Sequence, residues 1–346
     1  MISLCMIVKN EEQGLAQCLD SVKSIADEII VVDTGSNDKT KEIALSYTNK
    51  VYDFIWENDF SKARNFSISK ANNDWILVLD ADELVTNFNK ESILKLIKGT
   101  DKVVGRIKRI NTFEDSTGEK RYIERINRFF NKKYYNYTGI IHEQVTSLNN
   151  TSYTTAPLDV DIEHIGYTKE VLNKTNKISR NISMLKQAIH DNLNDPYLHY
   201  QLGKSYYMGK EYTLACESFE EALRYDINFN YEYAEDLVET YGYSLINSNR
   251  FNDAIKIEDF YIYYKQYPDF NFLMGLIYMN NGKFNDAVNS FYKCIGNAEG
   301  KIEGVNSYLA YYNIGVIFEC LGYTEEAFKH YNMCGDYKPA LSRLSK

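Results

Sequence analysis

Trp75-Ile-Leu-Val-Leu-Asp80-Ala-Asp82-Glu83 decides the fold. A short apolar run of this kind suits a strand buried on both faces, as found inside a parallel sheet. It runs directly into three acids within four residues. Clustered carboxylates at the end of an interior strand are costly unless something cationic compensates them. Asp-x-Asp in a tight turn presents hard oxygen ligands to Mg²⁺ or Mn²⁺, which in turn neutralise a diphosphate. The plain alternative is a solvated loop with helix-capping acids.

Working outward, short β-rich runs at Ser3–Val8, Glu28–Val32, Val51–Ile55 and Val103–Ile110 alternate with helical stretches at Glu12–Ser24, Lys39–Tyr47 and Ser61–Lys70. Strand–helix alternation at this pitch predicts βαβ units and a mostly parallel sheet, with the active edge at the carboxyl ends of its strands. After Val103 the helices thin out, and turn signals at Ser116-Thr117-Gly118 and Asn149-Asn150 predict a mixed or antiparallel extension of the same sheet. The expected domain covers residues 1–167.

From about Thr168 onward the strand pattern stops. Leu202-Gly203-x-x-Tyr206 is followed by Ala215, Phe219 and Ala222, and the same offsets return Tyr278, Ala287, Phe291 and Cys294 from Gly275. From Gly315 they return Phe318, Ala327, Tyr331 and Cys334, with Pro339 closing the unit; Gly242 with Ala254 begins a weaker copy. The glycines are 39, 33 and 40 residues apart, close to the ~34-residue helix–turn–helix period of a repeat solenoid. Small residues let paired helices approach, and aromatics fill the gap between them. The expected organisation is a helical linker over 168–195 and a repeat domain over 196–346, whose tyrosines read as core.

The 346 residues exceed one ordinary domain, and 44% hydrophobic content allows real cores. A net charge of −9 argues against wrapping nucleic acid or an anionic membrane. No apolar run approaches a membrane span, and the amino terminus lacks the basic flank of a signal peptide, so a cytoplasmic protein is expected. The six cysteines form no CxxC pair and read as buried free thiols of a reducing cytoplasm rather than disulfides or zinc ligands.

Further chemistry-bearing residues sit near the strand ends. Asp33, in Ile29-Ile-Val-Val-Asp33-Thr34-Gly35-Ser36, lies where an acid accepts from a nucleobase N–H or a ribose hydroxyl. Asp38 reads as a helix cap. Arg64 and Asn65, in Phe60-Ser-Lys62-Ala63-Arg64-Asn65, open a helix and suit nucleotide or phosphate contacts. Tyr137-Thr-Gly139-Ile-Ile-His142-Glu143-Gln144 offers Glu143 or His142 as a general base, with a structural histidine as the competing reading. His190 and His199 read as structural. Between Lys102 and Lys133, ten Lys/Arg stand against four acids. A solvated sheet face is the usual account of such a strip, and Arg125 and Arg128 alternate out of phase, so both cannot face one site.

Together, Ser3-Leu-Cys-Met-Ile-Val-Lys-Asn10-Glu11-Glu12, Val-Val-Asp33-Thr-Gly-Ser, Ala63-Arg64-Asn65 and Leu79-Asp80-Ala-Asp82-Glu83 resemble the family 2 glycosyltransferases of GT-A fold. They are most similar to the bacterial subset carrying tetratricopeptide repeats, which includes peptide S-glycosyltransferases of glycopeptide bacteriocins. The resemblance covers essentially the whole chain. It implies an α/β GT-A domain followed by an all-α repeat solenoid, and metal-dependent inverting transfer from a UDP-sugar. Val8, Lys9 and Glu11 would then wrap the base and Asp33 contact the uracil side, with Arg64 and Asn65 nearby. Asp80, with Ala81 beside it, would face the ribose. Asp82 would coordinate Mn²⁺ or Mg²⁺, with the late histidine His164 completing the metal sphere. Lys9 stands where many members have an aromatic, and Thr34 replaces a second acid; both departures bear on base identity. The implied partners are a UDP-sugar donor and a peptide or protein acceptor, with the repeats holding that acceptor or pairing two copies into a homodimer. Alternatives are a saccharide or lipid-linked acceptor, or a repeat-based binding module with a vestigial transferase half. A nucleotidyltransferase lacks its glycine-rich basic loop here.

Overall fold

The computed structural model describes residues 1–346 except 101, 116–117, 165–176, 297 and 346, and leaves aside the side chains of 113–115 and 118–120. The turn expected at Ser116-Thr117, and the domain boundary expected at 167–168, lie outside the described residues. The chain divides into two compact units, 1–114 with 121–175 and 176–346 with 115–120.

The first unit is built on an eight-stranded sheet of order β3-β2-β1-β4-β7-β6-β10-β5. Its strands are β1 (Ile2–Val8), β2 (Glu28–Asp33), β3 (Val51–Asp53), β4 (Trp75–Val78), β5 (Glu83–Phe88), β6 (Val103–Asp115), β7 (Gly118–Asn131) and β10 (Thr154–His164). Strands β3, β2, β1 and β4 run parallel, β7 is antiparallel to β4, and β10 is parallel to β6 but antiparallel to β5. A two-stranded sheet of β8 (Tyr135–Thr138) and β9 (Gln144–Ser147) stands beside it. The expected parallel core and mixed extension are both present. The acids after β4 are not one loop, because Glu83 begins β5 and is fully buried.

Alternate residues of the central strands feed two cores. Leu4, Met6, Val8, Val31 and Leu77 pack with α1 (Leu15–Val22) and α2 (Thr40–Tyr47) on one face. Cys5, Ile30, Val32, Ile76 and Val78 pack with α3 (Phe60–Ser69) and with Tyr135 and Tyr137 of β8 on the other. Burial on both faces is why these strands read as continuous apolar runs. The chain leaves β1 toward β2 and β3 and returns on its other side as β4, which makes the β1/β4 boundary the crevice where such sheets bind ligands.

The second unit is helical. Helices Pro196–Met208 and Tyr212–Ala222, Pro268–Asn280 and Phe284–Cys294, and Tyr308–Cys320 and Thr324–Asn332 form hairpins. A Cβ on Gly203, Gly275 or Gly315 would sit 2.5, 2.6 and 2.5 Å from the ring of Phe219, Phe291 or Tyr331 respectively. Each ring belongs to the residue sixteen positions on, so the offset read from sequence is a direct packing contact. The weaker copy differs: Gly242 meets Leu273, and its second helix breaks into short turns over Phe251–Tyr264. Helix Lys177–Asp191, inside the stretch expected as a linker, packs on Pro196–Met208 through a face that includes Met184, Leu185 and Ala188. Five cysteines are buried free thiols, whereas Cys320 is an exposed one. Among the described residues, no helix is long and apolar enough to cross a membrane.

Candidate functional site

The loops at the carboxyl ends of β1, β2 and β4 lock onto one another. Val8 pairs with Asp33 in the parallel register, and its carbonyl accepts from the Thr34 amide (3.0 Å) and hydroxyl (3.1 Å). Asp33 is buried, and its Oδ1 accepts from the amides of Gly35 (3.0 Å) and Ser36 (2.8 Å), shaping the turn that precedes α2. Asp38 accepts from the Thr40 amide at 3.0 Å and the Glu12 amide at 3.2 Å, tying the β2 loop to the β1 loop. The Glu11 amide donates to the Thr40 hydroxyl (2.7 Å), and Lys9 is exposed at the edge. Gly14 lies against the carbonyl of buried Ala81, where an added Cβ would stand at 3.1 Å, and Cys18 Sγ donates to the Asp80 carbonyl at 3.4 Å. That close approach seats the Asp80–Glu83 turn on α1.

Helix α3 supplies the next layer. Asp59 caps it by accepting from the Lys62 amide at 3.0 Å. Ser61, Arg64 and Ile68 recur at helical spacing on its buried face, so Arg64 points inward. Its Nη2 donates to Asp80 Oδ1 at 2.8 Å and its Nε donates to Glu143 Oε1. Glu143 reaches Arg64 because the Gly139–Glu143 segment turns through positive φ at Gly139 and His142 and is pinned where the Phe60 amide donates to the Ile140 carbonyl (2.9 Å). Asn65 is used differently. Its amide both donates to the Tyr137 carbonyl (2.8 Å) and accepts from the Tyr137 amide (2.9 Å), so it docks β8 onto α3.

Two arginines from the basic strip complete the cluster. Arg128 Nη2 donates to Asp80 Oδ2 at 2.7 Å and to Glu83 Oε1 at 3.3 Å. Arg109 bridges Glu83 Oε1 (3.3 Å) and Glu124 Oε1 (2.9 Å). Burial pushes the Asp80 carboxyl up, but the Arg128 and Arg64 guanidiniums outweigh it and hold the group well below the usual carboxylate range. The same pairing lifts both arginines against their own burial. The compensation that the acid-tipped strand demands is therefore largely internal. Nothing in the local sequence singles out Arg128, Arg109, Asn111 or Glu124; the surplus of basic residues in the strip was the available signal. The expected phase holds, since Arg128 is buried and Arg125 exposed.

Asp82 and His164 meet at the far side of the turn. His164 lies opposite Asn111 in the β6–β10 ladder and opposite Glu83 in the β5–β10 ladder. Asn111 Nδ2 donates to Glu124 Oε1 (2.7 Å), which turns Asn111 Oδ1 toward His164 Nδ1 at 2.8 Å. An amide oxygen only accepts, so Nδ1 carries a ring proton, and Nε2 is the nitrogen left facing the turn. That nitrogen stands 3.1 Å from Asp82 Oδ2. A proton on Nε2 makes this contact a hydrogen bond to the carboxylate, and a metal ion bound between the two atoms would take that proton's place. Among the described residues, no group of three or more His, Cys, Asp or Glu could hold a metal. A metal ion held by this pair would have one oxygen and one nitrogen from the protein and would take its remaining ligands from solvent or substrate.

Of the residues expected from sequence, the structure gathers Arg64, Asp80 and Glu143 into one ion-paired group and Asp82 with His164 into another. Val8 and Asp33 flank these at the strand edge.

Residues 3–154 match the family model described as glycosyl transferase family 2, and residues 268–300 match that of the tetratricopeptide repeat. The chain is 35% identical over 211 residues to a TPR repeat-containing protein of Synechococcus elongatus, covering 58% of this chain and 51% of that protein. It is 30% identical over 232 residues to the SPbeta prophage-derived glycosyltransferase SunS of Bacillus subtilis, covering 65% of this chain and 52% of that protein. The chain thus spans about half the length of these curated relatives. Among solved structures, MamA is similar over 50% of this chain and 95% of its own, at 18% identity and a TM-score of 0.40. The family 2 glycosyltransferase match precedes the tetratricopeptide-repeat match along the chain, in the order that the motifs implied.

Proposed function

We propose that the chain is a glycosyltransferase that moves a sugar from a UDP-sugar to a peptide or protein side chain, assisted by Mn²⁺ or Mg²⁺. The observation that carries this reading is the Asp82–His164 pair, with Nε2 turned toward the carboxylate, in a domain matching family 2. Asp82 and His164 would hold the ion, which when bound supplies positive charge to the leaving diphosphate. The chain's own residues do the rest. Asp33 and the β1 edge at Val8, Lys9 and Glu11 receive the nucleoside, while Arg64, Asp80 and Ala81 form the floor beneath the sugar. Asn65 acts by holding β8 and the segment after it. The acceptor atom bonds to the anomeric carbon as the carbon–oxygen bond to the diphosphate breaks. The bonding pair leaves with UDP, and the acceptor proton passes to Glu143. Arg64 fixes Glu143 through Oε1, which leaves Oε2 for that proton. Attack opposite the leaving group inverts the anomeric centre. His142 adjoins this base and orients the acceptor.

In this reading residues 1–167 are the transferase domain, 168–195 the connection and 196–346 the repeats that hold the acceptor or pair two copies of the chain. Calorimetric titration with UDP, with and without Mn²⁺, tests it. Metal-enhanced binding that weakens at least tenfold in Asp82→Ala is expected. UDP binding indifferent to Mn²⁺ and to Asp82→Ala would refute the metal site, and no binding at all would refute the donor.

A further inference from the structure

The Arg64 guanidinium has donors left over. Nε and Nη2 are taken by Glu143 and Asp80, but Nη1 is buried with no hydrogen-bond partner. Tyr137 on β8 is in the same condition: the residue is 4% exposed, and its hydroxyl is buried without a partner. The Arg64 guanidinium carbon lies 5.5 Å from the centre of the Tyr137 ring, so the two side chains that carry these groups are neighbours. Burial pushes the Tyr137 phenol up to about 12, which keeps its proton in place at neutral pH. Folded proteins keep few buried donors with nothing to donate to, because each retains its full desolvation penalty. Two together, inside the candidate site, point to a ligand that brings acceptor oxygens.

The surrounding charge decides what kind of oxygen. Arg64 and Arg128 are already answered by Asp80, Glu83 and Glu143. A further anion would add to a carboxylate surplus, whereas a neutral oxygen would not. Position decides which part of the ligand it belongs to. Arg64 spans Asp80, next to the Asp82–His164 pair, and Glu143. In a displacement at the anomeric carbon, the transferred sugar lies between the diphosphate on one side and the base on the other. We propose that Arg64 Nη1 and Tyr137 Oη each bind a neutral oxygen of the transferred sugar, a hydroxyl or an acetamido carbonyl. Tyr137 is then a residue that selects the sugar. This rests on the nucleotide-sugar reading above.

Tyr137→Phe keeps the ring and deletes only the hydroxyl. The experiment is calorimetric titration of full-length wild type and variant with UDP, UDP-glucose and UDP-N-acetylglucosamine in the presence of Mn²⁺, with thermal unfolding of each ligand-free protein. The expected result is a Tm equal to or above wild type and unchanged UDP affinity, with about a three- to tenfold loss for at least one UDP-sugar. A gain in stability with a loss of sugar binding is a combination that a purely structural hydroxyl does not produce. Equal affinities of variant and wild type for both UDP-sugars would overturn the inference while leaving the donor site intact. A lowered Tm with UDP and UDP-sugars weakened alike would overturn it too, by making the hydroxyl structural. If wild type binds no uridine nucleotide, the site reading falls and this inference with it.

Discussion

Arg128→Met tests the claim that the acid-tipped strand is neutralised from within. Arg128 is 8% exposed and supports two carboxylates at once, Asp80 at 2.7 Å and Glu83 at 3.3 Å, and Glu83 is fully buried. Methionine fills a similar volume but leaves both carboxylates short of a partner. Breaking a buried pair by removing one member costs about 3–5 kcal/mol, and in a unit of this size that lowers Tm by roughly 10 °C. The loss should depend on pH in a particular direction. The Asp80 carboxyl is held below its unfolded value, so its contribution is present above the unfolded pKa and is lost as pH falls through the folded one. In the variant, burial is opposed by Arg64 alone, and the carboxyl rises. The deficit relative to wild type is therefore largest at pH 7 and narrows toward pH 4, as the variant's carboxyl takes up a proton. Urea denaturation of both proteins at pH 7, 5 and 4 measures this, with Arg125→Met, an exposed arginine of the same strand, changing stability by no more than about 0.5 kcal/mol. A loss under about 1 kcal/mol at pH 7, or a deficit that widens on acidification, would refute the reasoning.

The repeat packing makes a graded prediction. Alanine at Gly203, Gly275 or Gly315 drives a Cβ to within 2.6 Å of a ring and should cost about 1–3 kcal/mol each by overpacking. Gly282→Ala has open space but a φ of +71° and should cost about 1 kcal/mol through backbone strain. Urea midpoints of the four variants measure this, and losses at the three aligned glycines smaller than at Gly282 would contradict the packing. Thiol titration checks the cysteines: native protein should show one fast-reacting thiol, Cys320, among six, and two or more fast thiols would mean that the buried set is misassigned.

The elements that sequence resolves well are those whose evidence is local. Strand β4 announces itself because burial on both faces leaves no polar alternation. The repeats announce themselves because a glycine and the ring that packs on it are separated by a fixed sixteen residues. Asp82 is legible as a candidate because it belongs to an acid cluster at a strand end, and His164 because the family resemblance implies a late histidine. What local reasoning misjudges is Glu83. Contiguity with Asp80 and Asp82 suggests one acidic loop, but the backbone reverses at the turn and commits Glu83 to a new strand and to two arginines.

By itself, then, the sequence determined the alternating sheet, the repeat period and the acids at the strand edge, since each is written in residues near one another along the chain. Only the tertiary structure decided which cations answer those acids and which groups meet. Arg128 reaches Asp80 because β7 runs antiparallel to β4 with Phe129 opposite Leu77, so that the next residue along the ladder arrives at the acidic end. His164 reaches Asp82 because β10 pairs in register with both β5 and β6, which also sets Asn111 beside the ring and fixes a proton on Nδ1. Strand register joins residues 48 to 82 positions apart. A one-residue slip would turn every one of these side chains to the opposite face, so no reading of composition or spacing could have chosen among them.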